Sequence, residues 1–384
     1  MTGRITIIGA GLGGLTAALA LQQGGWRVRV YEQARALGEA GAGITLSSGA
    51  GMGLASLGLG PALLAASLPV PDIAFVDYRT GALLAGSFDN TAPPDLGFAK
   101  ARHIHRADLH AILLAAVCAH DSDSVLADHR VTAVTQNGAG VTASFANGAT
   151  AGADALIAAD GVRSTVRRLL FDDQAPVFAG QIAFRCLIPR AIAEPFLSAG
   201  NAVVSIGPGR VFNRYVIRHG ALVNVIGIAR TEGWAEEGWS TPASGEEFAG
   251  AFEDFHEDVL GLIQRAPAQS LIKWGLFVRP PSRDWVRGRV LMMGDAAHAM
   301  LPFLGLGAAT AIEDGIVLAR ALAQADGIEA GFALFERARA ERVELVRSES
   351  VRQGEIIQGV APDVARAPSQ NVALFEYNPV TAPL

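Results

Sequence analysis

Cysteine is almost absent from this chain: only Cys118 and Cys186 occur. They stand far apart, each in an apolar run, so they build neither a disulfide framework nor a metal-ligand spacing, and both are expected in the core. No metal site is expected. An excess of positive charge is missing as well. The formal net charge is −6 and Lys and Arg form no cluster, which argues against a nucleic-acid surface or a polybasic membrane contact. No basic segment with an apolar leader precedes the first strand-like run, and no apolar stretch is expected to reach the length of a membrane span. The expectation is a soluble cytoplasmic protein without nucleic-acid or membrane partners. Charge of either sign is scarce, 18% of residues against 50% hydrophobic. A chain of 384 residues with that composition can bury a large core and is long for a single one, so two domains are expected.

Glycine, by contrast, is abundant at 44 residues, and the most informative cluster stands between Arg4 and Glu32. Ile5 to Ile8 is a short apolar run, Gly9-Ala10-Gly11-Leu12-Gly13-Gly14 is a sharp turn, an apolar helix follows, and an alternating run ends at Tyr31-Glu32. That is a βαβ unit with a G-x-G-x-x-G turn. Gly9 permits the turn, Gly11 lets backbone N–H groups approach a pyrophosphate, and Gly14 lets the helix lie close to the strand. The helix N-terminus can hold an anion without Lys or Arg. Glu32 stands where a carboxylate accepts the hydroxyls of an adenosine ribose and repels a 2′-phosphate. FAD and NAD both fit this unit.

Farther along, residues 37–44 read as a glycine-rich turn into a short strand, and residues 47–59 are small, which suits either backbone against a flat ligand or a surface loop. A hairpin is expected over 73–88 and another over 131–145. His103 and His105 alternate on one strand face with no third ligand near. Arg106, at the start of a helix over 108–120, can reach a phosphate or a flavin carbonyl, or pair with Asp108. Asp160-Gly161 ends a buried strand, the place where strand ends meet ligands in open α/β sheets, although an ordinary strand exit looks the same. A short helix over 162–170 follows, carrying Arg163, Arg167 and Arg168. Between 181 and 274 successive strands replace the strand-helix alternation, which signals an antiparallel sheet, with one helix over 246–265. Residues 289–298, with Gly294-Asp295 and His298, return to the first pattern, and an apolar helix over 308–325 follows. The charged helix over 331–359 reads as a solvated face, and the residues after 360 as loop or frayed tail.

In order, then, the chain holds Gly9 to Gly14 with Glu32, AADGVRSTVRR with Asp160-Gly161, and GRVLMMGDAAHAMLPFLGLGAATAIEDG with Gly294-Asp295; HRADLHAIL contains Arg106. Over nearly its whole length it resembles the single-component FAD-dependent aromatic hydroxylases, the group that includes salicylate hydroxylase, 3-hydroxybenzoate 6-hydroxylase and 6-hydroxynicotinate 3-monooxygenase. The resemblance implies an α/β fold: a Rossmann-like FAD-binding domain formed by 1–70, 101–178 and 281–384, interleaved with an antiparallel-sheet substrate domain formed by 71–100 and 179–280, and a long C-terminal helix. It implies a monooxygenase that uses NADH or NADPH as transient reductant, and O2, to hydroxylate a small electron-rich aromatic substrate through a flavin C4a-hydroperoxide. FAD contacts are implied at Gly9, Gly11, Leu12, Gly13 and Gly14, at Glu32 and Gln33, at Ala42 and Gly43, at Arg106, at Asp160, Gly161 and Arg163, at Gly294 and Asp295, and at Gly305, Leu306, Gly307 and Ala308. Asp295 would hold the ribityl chain. The helix after Gly307 would aim its N–H groups at the flavin pyrimidine edge.

For the substrate pocket the implied residues are Thr45, Tyr215, Pro302 and Phe303, with Tyr215 and His298 as catalytic candidates. Tyr215 matches a tyrosine of the hydroxynicotinate enzyme, and a core tyrosine is the plain alternative. The chain departs from its group in three places: Leu301-Pro302-Phe303 has no loop histidine, Leu306-Gly307 replaces Gln-Gly, and Thr45 replaces a histidine. A flavin halogenase would show Trp-x-Trp-x-Ile-Pro, a spacing that Trp234, Trp239, Trp274 and Trp285 never form. A reductase on the same scaffold, or a non-catalytic binding protein of the dissociation-inhibitor type, are the other readings. The chain is expected to work as a monomer or homodimer.

Overall fold

In the computed structural model the described residues are 3–38, 42–84, 97–172, 174–234, 241–359 and 372–384. Part of the glycine-rich turn at 39–41, the second arm of the hairpin over 85–88, and residues 360–371 lie outside them. The expected βαβ unit forms from strand Arg4–Ile8, helix Leu12–Gln23 and strand Arg27–Tyr31. Ile5, Ile7 and Ile8 are at most 3% exposed, as befits a strand covered on both faces. A six-stranded sheet grows around it in the order Val286–Arg287, Val290–Met292, Ala155–Ala158, Arg4–Ile8, Arg27–Tyr31, Val125–Leu126. All pairings are parallel except the edge strand Val286–Arg287. The carboxyl ends of Val290–Met292, Ala155–Ala158 and Arg4–Ile8 therefore lie side by side, and the turns at Gly294, Asp160 and Gly9 share one edge. The fit there is tight: a Cβ on Gly9, whose φ is +102°, would stand 2.4 Å from the Ala159 carbonyl oxygen, and one on Gly14 would stand 2.1 Å from that of Gly9.

The seven-stranded sheet has the order Thr241–Pro242, Ile272–Val278, Val177–Pro189, Leu222–Arg230, Arg210–Ile217, Ala202–Gly207, Ala74–Asp77. Its central pairings are antiparallel and only the Ala74–Asp77 edge is parallel. One face is sealed by helices Gly245–Ala251 and Glu257–Gln264, with Phe184 stacked on Phe248 at 4.7 Å. The other face meets Leu301, Phe303, Ile356 and Ile357 of the first region through Phe75, Val204, Val211 and Ile228. A three-stranded sheet, Gly43–Leu46, Arg102–His105 and Ser67–Pro69, stands beside the join.

Several expectations need correction. The helix over 246–265 is two helices, because Ser244 and His256 each cap a separate start and Phe252 and Phe255 turn into the core between them. Residues 48–54 are helical, with the Ser47 hydroxyl accepting from the Ala50 N–H. The helical run Ser48–Ala66 is, among the described residues, long and apolar enough to cross a membrane by length and composition, contrary to the expectation that none is. It is broken at Gly58, whose φ is 86°, and a Cβ on Gly51 would stand 2.5 Å from the Phe98 ring. Cys186 is buried but Cys118 is only half-buried. The long helix, Ile328–Ile357, is not a solvated face throughout: Arg339 is 0% and Arg342 7% exposed. At the end of the chain, expected as loop or frayed tail, the described residues 372–384 form a short helix, Val372–Phe375, followed by a docked loop. Arg342 donates to the Ala373 and Leu374 carbonyls at 3.1 and 3.0 Å, Arg320 donates to Pro379 at 2.7 Å, and the Tyr377 ring lies under Arg342 and Arg339.

Candidate active site

The shared strand edge is built from backbone. At Gly11, Gly161 and Gly307 a Cβ would meet nothing within 4 Å, so the peptide planes there face open space. Gly13 serves packing instead, its Cβ position lying 3.1 Å from the Ala311 side chain. Leu12 and Leu306 are buried behind their turns, and Gln33 is exposed beside Glu32. Glu32 accepts the Ala10 N–H on one carboxylate oxygen and the Ala34 N–H on the other, both at 2.9 Å. It thus pins the glycine turn to the second strand and keeps further lone pairs for a diol.

Asp295 follows Gly294 on the same edge. Its side chain is solvent-exposed although protein surrounds it, which places it on the floor of a cleft. That enclosure raises its carboxyl above the ordinary value; His298 and Arg106 oppose the rise and Asp314 adds to it. No hydrogen bond reaches the Asp295 carboxylate from the described residues. Asp108 pairs with Arg218, at 2.6 and 3.0 Å, rather than with Arg106, and Arg106 contributes its positive charge near Asp295.

The inner face of the seven-stranded sheet is only partly covered at its centre. Arg185 pairs in register with Ile226, which pairs with Asn213; Leu187 pairs with Asn224, which pairs with Tyr215. Arg185, Leu187, Ile226 and Asn213 are half-buried, whereas their neighbours on the outer face, Phe184, Cys186, Phe212 and Val225, are at most 1% exposed. Tyr215 stacks on His103 with ring centroids 4.0 Å apart. Thr45 is the register partner of His103, so it shares that wall. Gly305 comes next, with a Cβ position 3.9 Å from Thr45. Phe303 is half-buried among apolar residues, and Pro302 is exposed.

Described as FAD binding domain, one family model matches residues 3–217 and 228–351. Over 358 residues the chain is 36% identical to the 3-amino-4-hydroxybenzoate 2-monooxygenase PtnB3 of Streptomyces platensis, covering 91% of this chain and 87% of that one. It is 36% identical over 352 residues to the 6-hydroxynicotinate 3-monooxygenase of Pseudomonas fluorescens, with 90% and 89% covered. The chain belongs to the FAD-dependent aromatic hydroxylases. A solved structure of Klebsiella pneumoniae HpxO complexed with FAD and uric acid is similar at a TM-score of 0.82 and 26% identity, covering 94% of this chain and 90% of that one. FAD is the cofactor of this hydroxylase and NADH or NADPH its transient reductant.

The residues present fit FAD. Gly11, Gly161 and Gly307 present bare backbone, Glu32 and Asp295 present carboxylate oxygens, and the helix Gly307–Gln324 starts at the cleft with Gly307 and Ala308 half-buried. Four of the expected contact residues have partners within the protein. Asp160 is turned inward, accepting the Ser164 hydroxyl at 2.6 Å and the Thr165 and Val166 N–H groups at 2.7 and 3.2 Å, so it caps helix Thr165–Leu170. Arg163 is exposed and lies over the Phe277 ring. Gly43 donates its N–H to Asn224 at 2.7 Å, and a Cβ there would stand 2.7 Å from the Tyr215 ring, so it joins the glycine-rich turn to the sheet; the buried Ala42 accepts the Arg106 N–H at 2.7 Å.

His298 belongs to a buried polar network. Its Nε2 lies 2.7 Å from Asp314, and the ring lines a hollow of about 300 Å³ with Arg279, Trp285 and Arg347, none of them in the flavin motifs. Asp314 accepts the Gly294 N–H at 2.8 Å and Arg339 at 2.7 Å, while Glu313 takes Arg339 at 2.9 Å and Arg342 at 3.1 Å. Burial would raise the Asp314 carboxyl, but His298 and Arg339 hold it below its ordinary value. This buried network fixes the Gly294-Asp295 turn. Arg167 does the same from the other side, donating to the Ala296 and Ala297 carbonyls at 3.0 and 3.1 Å. Sequence reading missed these roles, because charged residues at helical spacing look alike whether solvated or buried. It weighs His103 only with His105, as a metal pair, because alternation shows which residues share a strand face and not that Tyr215 would pack against one of them.

Proposed function

We propose that this hydroxylase acts on small electron-rich aromatic compounds of the hydroxybenzoate or hydroxypyridine type, held between the half-buried centre of the seven-stranded sheet and the glycine turns. The half-buried centre of the sheet's inner face, joined to the glycine turns through Tyr215 at Gly43, His103 at Tyr215 and Thr45 at Gly305, is the observation that carries this reading. The names of the two relatives, acting on an aminohydroxybenzoate and a hydroxynicotinate, support it. When bound, FAD supplies the redox chemistry and the activation of O2. Glu32 would hold the ribose, Asp295 the ribityl hydroxyls, and the N–H groups at Gly307 the pyrimidine edge. Phe303 and Ile226 supply apolar walls that exclude water. Cytoplasmic location and a monomer or homodimer belong to the same reading.

Proton handling follows from burial. The Tyr215 phenol is pushed up by burial, against a smaller opposing effect of Arg185, so it stays neutral and can orient a ring substituent without acting as a base. Burial pushes the His103 imidazole down to about 3, so it too is neutral. The loop offers Phe303 in place of a histidine. An electrophilic oxygen transfer favours an ionised ring hydroxyl, so the substrate must itself be acidic, as a hydroxypyridine or a phenol bearing an acid group is.

The test begins with the visible spectrum of the purified protein, then NADH and NADPH oxidation with hydroxybenzoates and hydroxypyridines and product identification by mass spectrometry. Single-turnover flavin reduction is expected to be slow until the aromatic binds; equal rates would remove that gating. The ionisation limb of turnover against pH should move with each analogue's own pKa. A limb fixed near ~6.5, the ordinary value of histidine, and abolished by His298→Gln with flavin retained, would make His298 the base and overturn the proton assignment.

A further inference from the structure

Arg214 and Tyr215 are successive residues of one strand, so their side chains leave the seven-stranded sheet on opposite faces. Tyr215 meets Gly43 and His103. Arg214 lines a hollow of about 210 Å³ on the other face, between the edge strand Ala74–Asp77 and the start of helix Glu257–Gln264. Arg214 and Ser205 in its wall are 3% and 4% exposed. Val203 is the register partner of Arg214, so Ser205, two residues on, is a diagonal neighbour about 7–8 Å away, within reach of a long side chain. One guanidinium nitrogen, Nη1, donates to the Gly200 carbonyl at 2.5 Å. Nε, Nη2 and the Ser205 hydroxyl make no hydrogen bond among the described residues, yet none of the three is fully enclosed by protein, so they open on the hollow. Burial pulls the Arg214 guanidinium down to about 10, with Asp258 working against the fall. It stays charged at neutral pH with a neutral carbonyl as its hydrogen-bond partner, and a desolvated cation so placed gains from an anion.

We infer that this hollow binds a small oxyanion that keeps a proton of its own at neutral pH, and that inorganic phosphate is the ion it fits. The inference does not depend on the function proposed above, because the sheet separates the hollow from the cleft. A guanidinium offers two oxygens a rigid fork of N–H donors, and the Ser205 hydroxyl can donate to a third. Asp258 lines the same hollow and decides the class of ion. Its Oδ2 accepts the Ser198 hydroxyl at 2.5 Å, and its Oδ1 makes no hydrogen bond among the described residues. An ionised carboxylate only accepts, so it repels an oxyanion without a proton and takes a hydrogen bond from one that has a hydroxyl. Sulfate has none, and a phosphate ester loses its last proton near ~6. A carboxylate ligand has too few oxygens to use the fork, the serine and Asp258 together; hydrogen phosphate has four. The volume holds that ion and several waters, at about 30 Å³ of liquid each.

The experiment is calorimetric titration of the FAD-loaded protein, slightly above neutral pH, with sodium phosphate, sodium sulfate and methyl phosphate, the ionic strength being held constant with chloride. Wild type is expected to bind phosphate with one-site saturation and at least roughly 10-fold more tightly than sulfate or methyl phosphate, the worth of one hydrogen bond to a charged group. The methyl phosphate arm separates the free ion from a phosphate ester. Arg214→Met is expected to raise the phosphate Kd roughly 10- to 100-fold. Asp258→Asn, whose amide can donate to an unprotonated oxygen, should bring sulfate and methyl phosphate level with phosphate. Absence of saturable phosphate binding by wild type, an unchanged phosphate Kd in Arg214→Met, or a wild type that takes sulfate or methyl phosphate as tightly as phosphate each overturns the inference. Should Arg214→Met fail to fold, Ser205→Ala replaces it: loss of that one donor should raise the phosphate Kd roughly 2- to 10-fold, and an unchanged Kd overturns the inference equally.

Discussion

Two buried polar regions flank the cleft, and they solve opposite problems. Behind the Gly294-Asp295 turn, Arg339 is bonded to both Glu313 and Asp314, all three 0% exposed, in an ionised network in which the Arg339 Nη1 and His298 Nδ1 atoms have no partner among the described residues. Across the cleft, His103, Tyr215 and Asn224 are at most 4% exposed and carry no charge, and the His103 Nδ1 and Asn224 Nδ2 atoms have no partner among the described residues. Paired charge makes a rigid support, because displacing any member leaves another charge buried alone. Neutral groups with spare hydrogen-bonding capacity make a wall that a ligand can complete. The difference teaches where this molecule is fixed and where it is receptive.

The sharpest way to break this comparison is Asp314→Leu. It strands His298 and the Gly294 N–H at once and leaves Arg339 with Glu313 as its one carboxylate partner, and about 3–5 kcal/mol of stability should be lost, together with flavin. Denaturant unfolding and flavin content read this; a variant as stable as wild type would show that the network is not a support. Asp295→Ala probes the receptive side of the same turn. Flavin binding should weaken by roughly 1.5–3 kcal/mol with little change in unfolding of the flavin-free protein. Full flavin after dialysis would remove Asp295 from the site.

Acid should separate the two regions next. His103 has its pKa lowered in the folded state, to about 3, so the stability that depends on its neutral form is fully present above the unfolded value of about 6.5 and is lost as pH falls toward the folded value. Between pH 6.5 and 5 this amounts to roughly 1–2 kcal/mol. His103→Gln should flatten that part of the stability curve; an unaltered slope would mean the acid sensitivity lies elsewhere. The smallest effect is expected for Tyr215→Phe, which removes one neutral hydrogen bond worth about 0.5–1.5 kcal/mol in substrate affinity. The pH limb of turnover should stay in place, and a shift of that limb would mean the phenol does titrate in catalysis.

Much of the cofactor side was legible in residue order. The G-x-G-x-x-G turn, Asp160-Gly161 and Gly294-Asp295 each follow an apolar strand, and parallel pairing brings strand ends together wherever such strands neighbour one another. Individual roles were less legible. Asp160 reads as a cofactor ligand and is spent on capping a helix, and Gly43 reads as ligand-facing and is filled by Tyr215. The substrate side was legible as an antiparallel sheet but not as a pocket, since alternation tells which residues share a face and not which part of that face is left uncovered.

By itself, then, the sequence determined what local chemistry controls: the strand and helix periods, the turns that only glycine permits, the helix N-terminus poised for an anion, and the lack of a histidine in the loop at Phe303. Tertiary structure alone decided which charges found partners. Arg218 meets Asp108 across 110 residues of chain, Arg339 meets Asp314 across 25, and Arg342 meets Glu313 across 29. It also decided that residues 372–384 dock instead of fraying and that the Tyr215 phenol is held neutral. The reason is physical: backbone conformation is set by near neighbours and their period, whereas desolvation and ion pairing depend on atoms that distant segments bring within a few ångströms.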